Sequence, residues 1–226
     1  MKVNSKGFQM LQIKSFTFNP FAENTYVLYD ETGEAVIVDP GCYEKGEKAE
    51  LFDFVKKHQL TPVKLLNTHC HIDHVLGNAF VINTYDIPLW FHKDEEPILR
   101  AVPSYASNYG FPMYQDSQAS HYIKDGEEVK FGNSVLQSIL VPGHAPGHLV
   151  FYHEKSNTCI AGDTLFQGSI GRTDLPGGHH ETLLTAIKNR LFALPDDTTV
   201  YPGHGPDTTI GEEKSYNPFV GQQAKF

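Results

Sequence analysis

The chain has 226 residues, 40% of them hydrophobic, enough to bury a substantial core in one large domain or two small ones. A formal net charge of -9 with no basic block argues against a nucleic-acid partner, and no apolar run approaches a membrane span. Three scattered cysteines (Cys42, Cys70 and Cys159) and a polar N-terminus without a secretory core fit a reducing, cytoplasmic setting.

Residues 1–9 read as a flexible lead, with Met10 as an alternative start, and 10–226 as a single domain. Leu11 to Phe16 alternates apolar and polar as a strand does. Asn24 to Tyr29 and Glu34 to Val38 follow as strands, joined by the turn residues Asp30-Glu31-Thr32-Gly33. Asp39-Pro40-Gly41 ends the third strand; Asp39 fits a turn former and a carboxylate behind a metal site equally well. Leu51, Phe54 and Val55 are spaced for a helix over 49–60.

Val63 to Leu66 then reads as a buried strand running into Thr68-His69-Cys70-His71-Ile72-Asp73-His74. Three imidazoles and a carboxylate in so short a run are the donors a borderline dication such as zinc prefers. His69 and His71 leave on one side of the chain because alternate residues share a face. Asp73 and His74 aim at a neighbouring point, which suggests two metal ions rather than one. Cys70, by the same alternation, points away from them. Val75 to Ile82 reads as a helix and Pro88 to Phe91 as a strand.

Residues 94–121 lose regular period. Pro97, Pro103 and Pro112 interrupt them, and Tyr105, Tyr109, Phe111 and Tyr114 recur, as in a lid over a site or a helical excursion packing aromatics into the core. Strand patterns return at 128–131, 135–141, 149–153 and 158–161. An amphipathic helix over 181–194, a strand over 199–201 and a short helical tail complete the chain. His179 and His180 read as solvated residues before the helix. Two strand-rich blocks of this kind suggest two packed sheets with helices outside. Three strand ends carry further ligands beside glycine: Gly143-His144, Gly162-Asp163 and Gly203-His204. Glycine there lets the backbone turn tightly and approach an ion.

The series T-H-x-H-x-D-H, G-H, G-D and P-G-H resembles the metallo-β-lactamase superfamily over nearly all the chain after Met10. The resemblance implies an α+β fold, a four-layer αββα sandwich with a dinuclear metal site at the sheet edge. It assigns His69, His71 and His144 to one metal, Asp73, His74 and His204 to the second, and Asp163 to both. Zinc is the expected cofactor, two ions per chain, with iron or manganese as alternatives. Gly143 to His148 and Gly162 to Asp174 resemble the hydroxyacylglutathione hydrolases (glyoxalase II), particularly their short bacterial relatives.

The expected reaction is hydrolysis of a small-molecule thioester, with Asp73 and Asp163 as catalytic carboxylates. Two dications lower the pKa of a bridging water to roughly 7, and the thiolate leaves without acid assistance. Substrate contacts are expected from Arg172, Tyr105, Tyr109 and Lys214, and His148 is expected to orient its loop. Arg172 and Asp174 fit an ion pair or a substrate contact equally. Glyoxalase II carries a C-terminal helical extension with cations for glutathione. This chain ends about where that begins, so a weak hold on the glutathione arm is expected. The alternative function is a mononuclear iron persulfide dioxygenase, which usually has cysteine where His148 stands. A phosphodiesterase or nuclease and an inactive metal-binding paralogue rank behind it. A β-lactamase proper more often has cysteine at position 163. Neither a nucleic acid nor a membrane is an expected partner, and the oligomeric state is open.

Overall fold

A computed structural model describes residues 11–222 and 224; the expectations for residues 1–9 and Met10 lie outside the described residues. The first half of the chain builds a six-stranded sheet in sequence order from β1 (Gln12–Phe18), β2 (Glu23–Tyr29), β3 (Glu34–Val38), β4 (Thr61–Leu66), β5 (Leu89–Phe91) and β6 (His121–Tyr122). β1 to β3 form an antiparallel meander, whereas β3 to β6 run parallel. Parallel neighbours need crossovers, and these carry α1 (Lys45–Lys57), α2 (Ile72–Val75), α3 (Asn78–Tyr85) and α4 (Glu96–Tyr105).

The second half supplies β7 (Glu128–Phe131), β8 (Ser134–Leu140), β9 (Leu149–His153) and β10 (Thr158–Gly162). A small hairpin, β11 (Leu165–Phe166) with β12 (Ser169–Ile170), comes next. α5 (His180–Ala186), β13 (Thr199–Pro202), β14 (Thr208–Thr209) and α6 (Ile210–Tyr216) complete it. The second six-stranded sheet has the order β14-β13-β10-β9-β8-β7.

Side-chain alternation makes the layers. On β2 and β3, Val27, Ala35 and Ile37 pack beneath the helices with Leu51, Val81, Leu99 and Val102. Their neighbours Tyr26, Leu28, Val36 and Val38 turn to the other face and meet Phe131, Leu136, Leu149 and Phe151 of the second sheet. On β9 and β10, Val150, Tyr152, Cys159 and Ala161 face outward onto Leu183, Leu184, Ile187 and Leu191. Both faces of the central strands are therefore covered, which is why β2, β3, β9 and β10 read as apolar runs rather than alternating ones. The result is the expected αββα sandwich.

Three regions differ from the sequence reading. The helix expected over Val75 to Ile82 is two helices, α2 and α3, parted at Gly77. There the chain lies against the 39–42 loop: Gly77 N–H donates to the Pro40 carbonyl at 2.7 Å, and a Cβ would run into Cys42 Sγ. The irregular 94–121 segment contains α4, which starts with Pro97 in its first turn, where no N–H is needed, and runs through Pro103. It combines both readings: Phe111 is buried in the core while Tyr109 stands exposed. The helix expected over 181–194 ends in a π-helical turn, Ile187–Leu191. Its first turn is capped by His179, whose Nδ1 accepts the Thr182 N–H at 3.2 Å. His179 is thus a capping residue and not merely a solvated one.

Candidate metal centre

Four strand ends converge at one edge of the seam between the sheets. β4 runs out into Thr68 to His74, β8 into His144, β10 into Asp163 and β13 into His204. The sheets are locked together beside this point. Asn24 N–H donates to the Gly203 carbonyl at 2.7 Å, and Tyr26 Oη donates to the Pro202 carbonyl at 2.6 Å.

The seven expected ligands come together in two groups. His69, His71 and His144 form the first: His144 Nε2 lies 2.9 Å from His71 Nδ1 and 3.2 Å from His69 Nε2. Asp73, His74 and His204 form the second, with Asp73 Oδ2 3.1 Å from His204 Nε2 and 3.6 Å from His74 Nε2. Asp163 stands between them. Its Oδ1 is 3.5 Å from His74 Nε2, and its Oδ2 is 3.6 Å from His144 Nε2 and 3.5 Å from His204 Nε2. Ligand atoms held tetrahedrally around a zinc-sized ion are separated by roughly 3.3 Å, so these spacings fit one dication per group. The wall behind Asp163 is Gly203, where a Cβ would strike the Asp163 carboxylate and the His74 ring.

The backbone and hydroxyl partners behind the ring orient it. His144 Nδ1–H donates to the Arg172 carbonyl at 2.8 Å, and His204 Nδ1–H to the Phe21 carbonyl at 3.1 Å. His74 Nδ1 meets Asp39 Oδ2 at 3.1 Å. His69 Nδ1 meets Thr68 Oγ1 at 3.0 Å, and that hydroxyl donates to Asp39 Oδ2 at 2.5 Å. A proton fixed on Nδ1 leaves the Nε2 lone pair of each of these four rings aimed into the cluster. Asp39 fills both of its expected roles, since it sits at a positive φ of 48° in the turn and also holds the ligand loop.

Charge follows the same division. Burial pushes His69 well below the usual imidazole range, helped by the neighbouring rings of His74, His71 and His144. Burial and then the His144 ring take His71 down to about 3. These are neutral donors ready for a cation. At His74 burial also acts to lower the pKa, but the Asp73 and Asp163 carboxylates overcome it and hold the ring above its usual value. Burial alone would raise Asp163, yet His74 and then His144 and His204 hold it well below the usual carboxylate range. A site that stabilises an imidazolium with two carboxylates suits a dication in the same place. Two atoms at its centre, His74 Nε2 and Asp163 Oδ1, are buried without a hydrogen-bond partner. Buried polar groups normally have one, and a metal ion is what this donor set would accept.

One support was not legible as a functional residue. Glu95, at the start of α4, is fully buried; its Oε2 accepts the Cys70 N–H at 2.9 Å and its Oε1 the Gly147 N–H at 2.7 Å. One carboxylate thus pins the loops carrying His71 and His144. No motif marks it, since it lies among ordinary charged residues. His148, expected to orient its loop, accepts the Asp163 N–H on Nε2 at 3.0 Å and stacks on His69 with centroids 4.8 Å apart. Cys70 does point away: it is buried in the apolar cluster under the helices, where burial and the Glu95 charge push its thiol well up.

A cavity of about 910 Å³ opens over the ligands, floored by His71, Asp73, His144, Asp163 and His204. Tyr105, Tyr109 and Arg172, the expected substrate contacts, line it. Arg172 also forms the ion pair, bidentate to Asp174 with both contacts at 2.7 Å. Lys214 is a correction. It does not line the cavity; its ammonium is tied to Asp196 and to the Leu194 carbonyl, bracing α6 against the loop before β13.

The sequence profile described as the metallo-beta-lactamase superfamily matches residues 18–204. The chain is 32% identical to the hydroxyacylglutathione hydrolase GloC of Haemophilus influenzae over 216 residues, 95% of this chain and 100% of that one. Its fold is similar to the crystal structure of the BLEG-1 B3 metallo-beta-lactamase (TM-score 0.85, 38% identity, covering 92% and 99% of the two chains). It is also similar to TTHA1623 in a di-iron-bound form (TM-score 0.81, 35% identity, 91% and 99%). No helix among the described residues is long and apolar enough to cross a membrane. With its profile match spanning both sheets and groups of histidine and aspartate that could hold a metal at their shared edge, the chain belongs to the metallo-beta-lactamase superfamily, as a metal-dependent hydrolase.

Proposed function

We propose that this chain hydrolyses a small-molecule thioester of the hydroxyacylglutathione type, using two divalent metal ions, zinc before iron or manganese. The observation that carries the reading is Asp163 standing within 3.6 Å of both ligand groups at the floor of an open cavity. The likeness to GloC along its whole length supports the substrate class. His69, His71 and His144 would hold one ion, Asp73, His74 and His204 the other, and Asp163 both. Bound there, the ions supply an activated water and an electrophile for the carbonyl oxygen.

The chain's own groups do the rest. Asp73 and Asp163 are the carboxylates that line the floor, and Asp73 accepts the proton of the attacking water. His74 and His204 hold Asp73 in place from two sides. A thiolate is a good leaving group, so no general acid is required opposite Asp73. Cys70 is buried away from the cavity and takes no part.

The test is a turnover panel on metal-assayed protein: S-lactoylglutathione, a persulfide with oxygen, bis-nitrophenyl phosphate and a cephalosporin. Thioester hydrolysis with about two metals per chain is expected. One iron per chain with persulfide consumption would make the dioxygenase the better account, and a dominant cephalosporin activity would make it a β-lactamase.

A further inference from the structure

The chemistry at the floor of the cavity is polar, but its walls are not. α4 turns Leu99 and Val102 into the core. A second stripe on the same helix, Ile98, Ala101 and Tyr105, faces the cavity at spacings of three and four residues. Phe166 and Ile170 of the β11–β12 hairpin and Leu175 of the loop after it line the same cavity. At the rim Phe21 stands 42% exposed and Tyr109 53% exposed, their rings 6.3 Å apart. Phe21 is held there by its own backbone, whose carbonyl accepts from His204. Apolar side chains left open to water beside a reactive centre mark a surface that a ligand covers.

Charge at the walls is sparse. Apart from the ligands themselves, the charged side chains lining the cavity among the described residues are Asp94 and Arg172. Arg172 is already neutralised by its bidentate pairing with Asp174. A tripeptide thiol with two carboxylates would find little to answer them. A hydrocarbon chain would find apolar walls.

Resting on the thioester reading above, we infer that this site selects its substrate by an apolar acyl group of several carbons lying between α4 and the β11–β12 hairpin. The thiol arm is read weakly. The scissile carbonyl sits over Asp163 and the acyl chain runs up the Ile98-Ala101-Tyr105 stripe.

The experiment is a series of acyl thioesters of one small neutral thiol, N-acetylcysteamine, from acetyl through butanoyl and hexanoyl to octanoyl, with S-lactoylglutathione alongside. Metal-loaded full-length protein is used throughout. Each methylene buried between apolar walls strengthens binding enough to raise kcat/KM about three- to fourfold, so roughly tenfold is expected for each two-carbon step until the cavity is filled. Ile98→Asn and Ala101→Asn should each lower the octanoyl-to-acetyl ratio at unchanged metal content. A flat response to chain length, or a preference for S-lactoylglutathione over every acyl member, would overturn this inference while leaving thioester hydrolysis standing. Hydrolysis of no thioester at all would overturn both.

Discussion

Asp39 Oδ2 and His74 Nδ1 meet 3.1 Å apart beneath the metal centre, both side chains almost fully buried. The carboxylate fixes which ring nitrogen carries the proton and so which one faces the metal. Such partners typically set ten- to a hundredfold of metal affinity. Asn tolerates the positive φ found at residue 39, so Asp39→Asn changes charge without straining the turn. It should weaken the second site about tenfold, through His74, and the His69-His71-His144 site less, through the Thr68 hydroxyl behind His69, read by competitive chelator titration. Equal weakening of both sites would argue that Asp39 acts through the whole loop instead.

Asp163→Ala should lose both metals, because its carboxylate lies within 3.6 Å of ring nitrogens in both groups. His204→Ala should empty mainly the second site, leaving about one ion per chain by elemental analysis. An Asp163→Ala protein with two ions and full activity would remove that residue from the bridge.

Cys70→Ser should keep hydrolysis within about threefold, or roughly 0.7 kcal/mol on the transition-state scale. The thiol is buried among apolar side chains, with its pKa well above the usual thiol value. Burying a hydroxyl there lowers stability by about 1 kcal/mol, so melting temperature should fall more visibly than kcat. A hundredfold loss of rate with metals retained would point to a covalent cysteine.

Glu95 is pushed up to about 7 by burial, against the two backbone N–H groups that favour its charge. Its folded pKa exceeds the unfolded one, so its contribution is fully present below about pH 4.5 and is lost as pH rises through about 7. The stability of the native protein relative to Glu95→Gln should therefore fall between pH 5 and 8, by on the order of 3 kcal/mol. Denaturant melts of the two proteins across that range check it, and parallel curves would refute it. Glu95→Ala leaves two buried donors unpaired and should cost about 2–6 kcal/mol near pH 5, a cost that shrinks toward pH 8 as the native carboxyl ionises.

Much of this site could be read before any coordinates because its ligands announce themselves locally. His69, His71, Asp73 and His74 fall in one run, while His144, Asp163 and His204 each stand beside glycine at a strand end. The strands of both sheets were legible because burial on two faces leaves continuous apolar runs. What escaped was whatever depends on long-range approach. The break at Gly77 comes from the 39–42 loop pressing against it, a contact far apart in sequence. Glu95 is indistinguishable from Asp94 and Glu96 until α4 turns it inward onto Cys70 and Gly147. Lys214 looked available because its partner Asp196 lies on a separate loop. The cavity stripe on α4 was hidden because the prolines left a lid and a helical excursion equally open and gave no helical period from which to read a face.

The seam between the sheets gives the metal ions a second consequence. Each ligand group draws from both halves of the chain: His69 and His71 with His144, and Asp73 and His74 with His204. A bound ion is thus a removable cross-link between residues far apart in sequence, and because its ligands converge only in the folded chain, its binding free energy adds to the stability of the native state. Chelation should do more than end turnover. It should loosen the coupling between the two halves, lowering the unfolding midpoint and broadening the transition, with amide exchange rising first around Asn24, Tyr26 and Gly203, where the sheets are tied.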